Sequence, residues 1–249
     1  MNPALTQKYN PPHLCKIKVG SKSAKGFPQG LDHFIAFVGE KGSASAKVFF
    51  NKAYSGTKPK DITIVFISEP EELIRHKLSR YKGQREVCGS LDEYDDQAFD
   101  KDVNSIVKCP CKLFDRDNPQ SPCKELFSMR FYIPAAGLLG LWSFETHSAI
   151  SIANIRGAFW FARKKFGTAC GIPFKMSVTK NAGIKNGKPT SYPVVSMTID
   201  LEPSQSKKME GKGKQELVAI AMSKVITSDE HKKIGTKPTE NQEEDEVNL

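Results

Sequence analysis

The run SAISIANIRGAFWFARKKFG, residues 148–167, decides how the rest of the chain is read. Ile150, Ile152, Ile155, Phe159, Trp160 and Phe166 form an approximate apolar face, and Arg156, Arg163, Lys164 and Lys165 occupy much of the remainder. Ser148 offers a hydroxyl to the unpaired N–H groups of a first helical turn, and Gly167 is a suitable stop. The pattern predicts a helix over 148–166. One substantial helix set among dispersed strands argues for an α+β fold with a mixed or antiparallel sheet, not for repeated βαβ units.

The strands are read outward from that helix. Upstream, Leu126–Ile133 is an apolar segment stopped by Pro134, and Leu138–Phe144 is a further strand candidate. Nearer the start, Leu14-Cys15-Lys16-Ile17-Lys18-Val19 alternates apolar and polar residues with the period of two that a half-buried strand requires. Gly20 and the Gly26–Gly30 stretch interrupt it before Leu31–Val38 resumes an apolar, aromatic run. Asp61–Ile67 is dominated by β-branched residues and predicts another strand, preceded by a structured turn over Tyr54–Pro59. Glu69–Arg80 predicts a short helix that begins beside Pro70 and ends before Gly83. Downstream, strands are expected at Phe174–Thr179 and Tyr192–Leu201, joined by a flexible hairpin-like connection over Lys180–Pro189. A short helix is expected at Gln215–Val225, and the composition is tail-like from Thr227.

These pieces divide the chain into four. Residues 1–80 and 129–205 are the two parts of a basic α+β core, and residues 81–128 are a cysteine-rich insertion with few continuous apolar runs. Residues 206–249 are a polar linker, a short helix and an acidic tail. With 249 residues, 39% hydrophobic content and 15 Phe, the chain is long and apolar enough to build a core, which excludes a disordered class. No run approaches the roughly 20 apolar residues of a membrane helix, and the opening MNPALTQKYNPPHLCK lacks the basic start and apolar stretch of a secretory signal. A soluble intracellular protein is expected.

Charge is the first functional hint. The formal net charge is +9, from 37 basic and 28 acidic residues. Within residues 1–60, ten lysines against Asp32 and Glu40 leave a charge of +8. Acidic residues gather instead at Asp92, Glu93, Asp95, Asp96, Asp100 and Asp102, and again at Glu240, Glu243, Glu244, Asp245 and Glu246. A basic working face favours DNA, RNA or an acidic protein as partner, though the same sign is compatible with an ordinary solvated surface. The candidate binding residues are Lys16, Lys18, Lys22 and Lys25 beside the first strand, and Lys180, Lys185 and Lys188 around the later hairpin. Phe34, Phe37, Tyr54 and Tyr81 are candidates for stacking on bases, with core filling the favoured role for Phe34 and Phe37.

Four cysteines form the sharpest constellation. Cys88 is followed after twenty residues by Cys109-Pro110-Cys111, and after eleven more by Cys123. Four thiolates suit the tetrahedral preference of Zn(2+), and a structural zinc would stabilise a segment with little core of its own. A redox pair and unrelated thiols are the alternatives. Cys15 and Cys170 lie in apolar or turn-flanked segments and read as buried bystanders. No catalytic set is legible: His76 reads as a surface residue near the end of a charged helix, His147 beside Ser148 is adjacency alone, and no phosphate-binding G-x-x-x-x-G-K-[S/T] loop is present. A metal-dependent hydrolase built on Asp92, Asp95 and Asp96 is disfavoured because nothing completes a two-metal site.

Three collinear stretches carry a family resemblance. The first is Ile17-Lys18-Val19-Gly20, then Gly26-Phe27-Pro28, then Leu31-Asp32-His33-Phe34, and the second is Tyr54 through Pro59 before a β-like run. The third runs from the cysteine segment and Leu126–Pro134 through Gly140–Ile152 and the helix to Gly171-Ile172-Pro173-Phe174. Over about residues 15–200 the chain resembles the recombination directionality factor-like proteins of phages and related mobile elements. The resemblance implies a non-catalytic regulatory partner of a large serine integrase in the bacterial cytoplasm, favouring excision over integration and meeting DNA directly or through the integrase complex. It supplies no catalytic residue set, and Cys88, Cys109, Cys111 and Cys123 fall in its cysteine-bearing region. The alternative function is a single-stranded nucleic-acid-binding protein of phage replication or recombination.

Overall fold

Strand β1 (His13–Lys22) realises the alternation read at Leu14–Val19: Cys15 and Ile17 are buried, while Lys16 and Lys18 lie on the other face. It turns back as β2 (Pro28–Phe37), antiparallel to it, with a register shift between Lys18 and Gly20. This computed structural model describes residues 12–231, apart from residues 40–41, 57, 84, 91–95, 116–117, 119–120 and 186–187. A helix that the sequence reading passed over, α1 (Ala44–Ala53), buries Ala46 and Phe50 and leads to β3 (Asp61–Val65).

The helix expected over Glu69–Arg80 is cut short. Only α2 (Pro70–Leu73) is helical, and the chain continues extended as β4 (Ile74–Lys82). The reason is tertiary. β4 is hydrogen-bonded on one side to β8 (Cys123–Phe131) along Ile74–Arg80 and on the other to β5 (Arg85–Ser90), so two ladders override a weak local preference. β6 (Gln97–Asp100) and β7 (Ser105–Lys108) then extend the same sheet.

The remaining elements are β9 (Leu141–Thr146), α3 (Ala149–Phe166), β10 (Pro173–Lys185), β11 (Lys188–Ile199), α4 (Pro203–Met209) and α5 (Lys214–His231). The connection expected over Lys180–Pro189 is largely strand: β10 and β11 pair continuously from Phe174↔Ile199 to Lys185↔Lys188. The acidic tail from Glu240 lies outside the described residues, as do Asp92, Glu93 and Asp95.

Two sheets result. The larger has the order β2-β1-β9-β8-β4-β5-β6-β7 and is mixed, β1 and β9 forming its parallel pair; the smaller is β11-β10-β3. Val65 and Tyr132 exchange backbone hydrogen bonds of 2.9 and 2.8 Å and so join them. The α+β class with a mixed sheet and a packed helix is therefore the fold of this chain, but the inserted zinc-binding segment expected within it is not part of it. Strands β5–β7 carry that region instead.

Helix α3 rests on β11, where the Val195 N–H donates to the buried Ser151 hydroxyl at 3.0 Å. The predicted caps are in place: Ser148 accepts from the Ser151 N–H at 3.3 Å, and Gly167 is left-handed with φ 73°. Phe66 sits edge-on to Phe131, Phe159 and Phe174, with ring centroids 5.0–6.4 Å apart. Fully burying such side chains is worth roughly 1.5–3 kcal/mol each. The apolar face is nonetheless narrower than the sequence implied. Ile152, Ile155, Phe159 and Phe166 are buried, whereas Ile150 and Trp160 face away from the core.

Candidate functional site

The four cysteines of the expected zinc site do come into one neighbourhood. Arg80, on β4, is in register with Cys88 on one side and Cys123 on the other, and Phe114 bridges to Cys123 just beyond the Cys109–Cys111 loop. Cys109 and Cys123 are buried, Cys88 is half-buried and Cys111 is exposed. Burial pushes the Cys88 thiol up, with Asp100 adding to the effect and Arg80 opposing it. Burial, then the proximity of Cys111 and Cys88, raises Cys109. Cys123 is pushed up to about 11 by burial and by the other three thiols.

The zinc expectation is overturned. Among the described residues, no group of three or more His, Cys, Asp or Glu side chains is placed to hold a metal ion. Other interactions hold the region together. Arg80 pairs with Asp100 at 2.8 Å, Lys82 pairs with Asp102 at 2.7 Å, and the buried Ser121 hydroxyl shares its one proton between the Leu113 and Cys123 carbonyl oxygens, 2.7 and 2.8 Å away. The spacing of the cysteines located the corner without determining what stabilises it.

The lysines lie on two hairpins that meet at β2. Lys16 and Lys18 are on the outer face of β1: Lys16 pairs with Glu145, and Lys18 stands 3.3 Å from the centre of the Phe37 ring. Burial lowers the Lys18 pKa, and Lys16 and Lys22 nearby lower it further. Lys22 ends β1, and Lys25 is exposed in the turn to β2. On the second hairpin Lys180 is exposed opposite Pro193, and Lys185 and Lys188 are in register at its far end. Gly30 of β2 fits so closely against this hairpin that a Cβ there would sit 2.6 Å from the Pro193 Cδ. His33, hydrogen-bonded to Asp32 at 2.9 Å, lowers the Asp32 carboxyl pKa, and the charges of Lys180 and Lys60 act in the same direction. The close approach of Gly30 to Pro193 thus brings the first hairpin beside the part of the second that carries Lys180.

The other candidates separate cleanly. Phe34 is in the core, while Phe37 is exposed beneath Lys18. Tyr54 stacks at 4.9 Å on Phe50, and burial raises its pKa. Tyr81 stands edge-on to His147, whose Nδ1 is 2.7 Å from the Glu125 carbonyl oxygen. His76 is not a surface helix residue: it lies half-buried on β4, against Phe127 and 3.0 Å from the Arg156 guanidinium. Cys15 and Cys170 are buried, as expected. Sequence reasoning missed the exposure of Trp160 and Phe161. A stricter helical projection would have found it, since both fall outside the arc set by Ile152, Ile155 and Phe159.

A family model described as Gp3-like, recombination directionality factor-like, matches residues 14–200. The chain belongs to this family. A recombination directionality factor-like protein regulates recombination without catalysing it, and it works with the recombination machinery. No curated protein matches the chain. No solved structure matches it. Among the described residues no helix is long and apolar enough to cross a membrane.

Proposed function

We propose that this factor binds a large serine integrase and favours excision over integration, acting in the bacterial cytoplasm by protein–protein contact. The observation that carries the reading is the family match across residues 14–200, which takes in both sheets and helix α3. In physical terms, the factor changes the relative stability of productive and inhibited synapses by repositioning the mobile coiled-coil element of the integrase. Reversing a 1:99 preference requires about 5.5 kcal/mol of differential binding between the two states. A purified recombination assay with the cognate integrase tests this. Adding the factor should promote excision, suppress integration and produce a direct factor–integrase complex. The absence of both the complex and the change in direction would overturn the reading.

The two lysine hairpins favour a second reading, binding of single-stranded nucleic acid. The adjacent placement of Lys22 and Lys25 with Lys180, and the Phe37 ring beneath Lys18, support it. Oligonucleotide binding without integrase, weakening steeply as salt rises, is its signature. Binding that ignores salt removes the phosphate contacts from consideration.

A further inference from the structure

Charge is divided along this chain in a way that contacts within the fold do not balance. Residues 240–249 hold Glu240, Glu243, Glu244, Asp245 and Glu246 and no basic residue, so the chain ahead of them is more basic than the net +9 of the whole. A matching excess of cations lies on hairpin β1–β2. Lys18, Lys22 and Lys25 fall within residues 18–25, and among the described residues none of the three is in an ion pair; Lys18 meets the Phe37 ring instead. Burial lowers the Lys18 pKa, and Lys16 and Lys22 lower it further against the opposing charge of Glu145, which marks a place crowded with positive charge.

The carboxylates beside the hairpin are already engaged. Glu145 pairs with Lys16, and Asp32 is hydrogen-bonded to His33 at 2.9 Å within the field of Lys180 and Lys60. Helix α1, packed against β1 and β2, adds Lys47 and Lys52 and no acidic residue. By contrast, Lys77, Arg80, Lys175 and Lys214 each meet a carboxylate of the chain, at Glu86, Asp100, Asp200 and Glu69.

Connectivity lets the acidic run reach the hairpin. Helix α5 touches the short helical turn Pro134–Ala136, that turn touches α1, and α1 rests on β1 and β2. Three such packing steps span about 30 Å. From His231, where α5 ends, an extended chain covers up to about 50 Å by Glu246. Tethering holds the segment at an effective concentration of about a millimolar, so exposed ion pairs that are individually weak suffice to seat it at low salt.

We propose that residues 240–246 fold back on hairpin β1–β2, where their carboxylates meet Lys18, Lys22 and Lys25 and exclude phosphate from the same ammonium groups. The segment is an internal competitor that nucleic acid must displace. The inference rests on the nucleic-acid reading above and adds the regulation of that site.

The test compares the full-length parent with a full-length variant carrying Glu240→Gln, Glu243→Gln, Glu244→Gln, Asp245→Asn and Glu246→Gln. At about 50 mM salt the variant should bind an oligothymidylate of about 20 nucleotides about tenfold more tightly than the parent, and the difference should vanish at about 0.5 M. Without oligonucleotide, the backbone amide resonances of residues 16–25 should differ between the two proteins at low salt and coincide at high salt. Identical amide resonances over residues 16–25 would overturn the docked segment, whatever the oligonucleotide does. Differing resonances with equal oligonucleotide affinity would overturn the competition. Differing resonances with no oligonucleotide binding by either protein would overturn the nucleic-acid reading while supporting the docked segment. Differences that fade on dilution would overturn the contact within one chain in favour of a second copy.

Discussion

Gly171 has φ +73°, and a Cβ there would sit 2.4 Å from the Leu217 carbonyl carbon and 2.5 Å from the Val218 nitrogen. Both the backbone conformation and the closeness of α5 exclude a side chain. Gly171→Ala should therefore cost at least about 2 kcal/mol, seen as a lower urea midpoint. Ser148→Ala removes a cap whose acceptor the structure shows in use, and should cost about 1 kcal/mol by the same measurement. The buried thiols give a pH dependence. Cys123 and Cys170 are both pushed up to about 11, chiefly by burial. The folded chain thus holds these protons more tightly than the unfolded chain, whose thiols titrate near 9.0. The resulting stabilisation is complete below pH 9 and is lost as pH climbs through about 11. Unfolding free energies measured from pH 8 to 11.5 should fall less steeply in Cys170→Ala than in the parent. Equal slopes would remove this thiol as a contributor. At this scale the sequence was a good guide for Ser148, Gly167, Cys15 and Cys170, whose roles depend on immediate neighbours or on small size and apolar character. It misjudged Trp160, because hydrophobicity alone does not say which way a helical residue faces.

Strand β4 shows what changes when elements meet. Its sequence, with Pro70 just ahead and charges throughout, has a plausible helical start that survives for one turn. Pairing with β8 and β5 then determines the conformation of the rest. Arg80 is its pivot, with Asp100 at 2.8 Å and Asp102 at 3.8 Å, and the first pair is mostly shielded from solvent. Arg80→Ala leaves Asp100 without its main counter-charge and should cost about 1–3 kcal/mol. The loss should appear as faster amide hydrogen exchange over residues 97–108 than over β8. Uniform exchange across the sheet would mean that Arg80 does not secure its outer strands. The four cysteines illustrate the same limit: their spacing carried them to one corner, but whether four sulfurs become ligands depends on orientation and on the stability of the thiolate. Neither is written in a count of intervening residues.

For the whole molecule, the lysine hairpins offer the clearest test of how the factor meets its assembly. Replacing Lys180, Lys185 and Lys188 with Gln should weaken the proposed factor–integrase–DNA complex and flatten its salt dependence if these residues neutralise phosphates. An unchanged salt slope would exclude those phosphate contacts. By itself, the sequence determined the capped helix α3, the alternation of β1, the strands at β3 and β8, the α+β class and the family, because each rests on periods and motifs carried by residues close along the chain. Only the tertiary structure decided the strand order, the extended fate of β4, the long β10–β11 ribbon, the meeting of the two hairpins at Gly30 and Pro193, and the outward face of α3. These features depend on contacts such as His13 with Leu141 and Phe174 with Ile64, where distant segments compete for the same partners. No local pattern records which competitor wins.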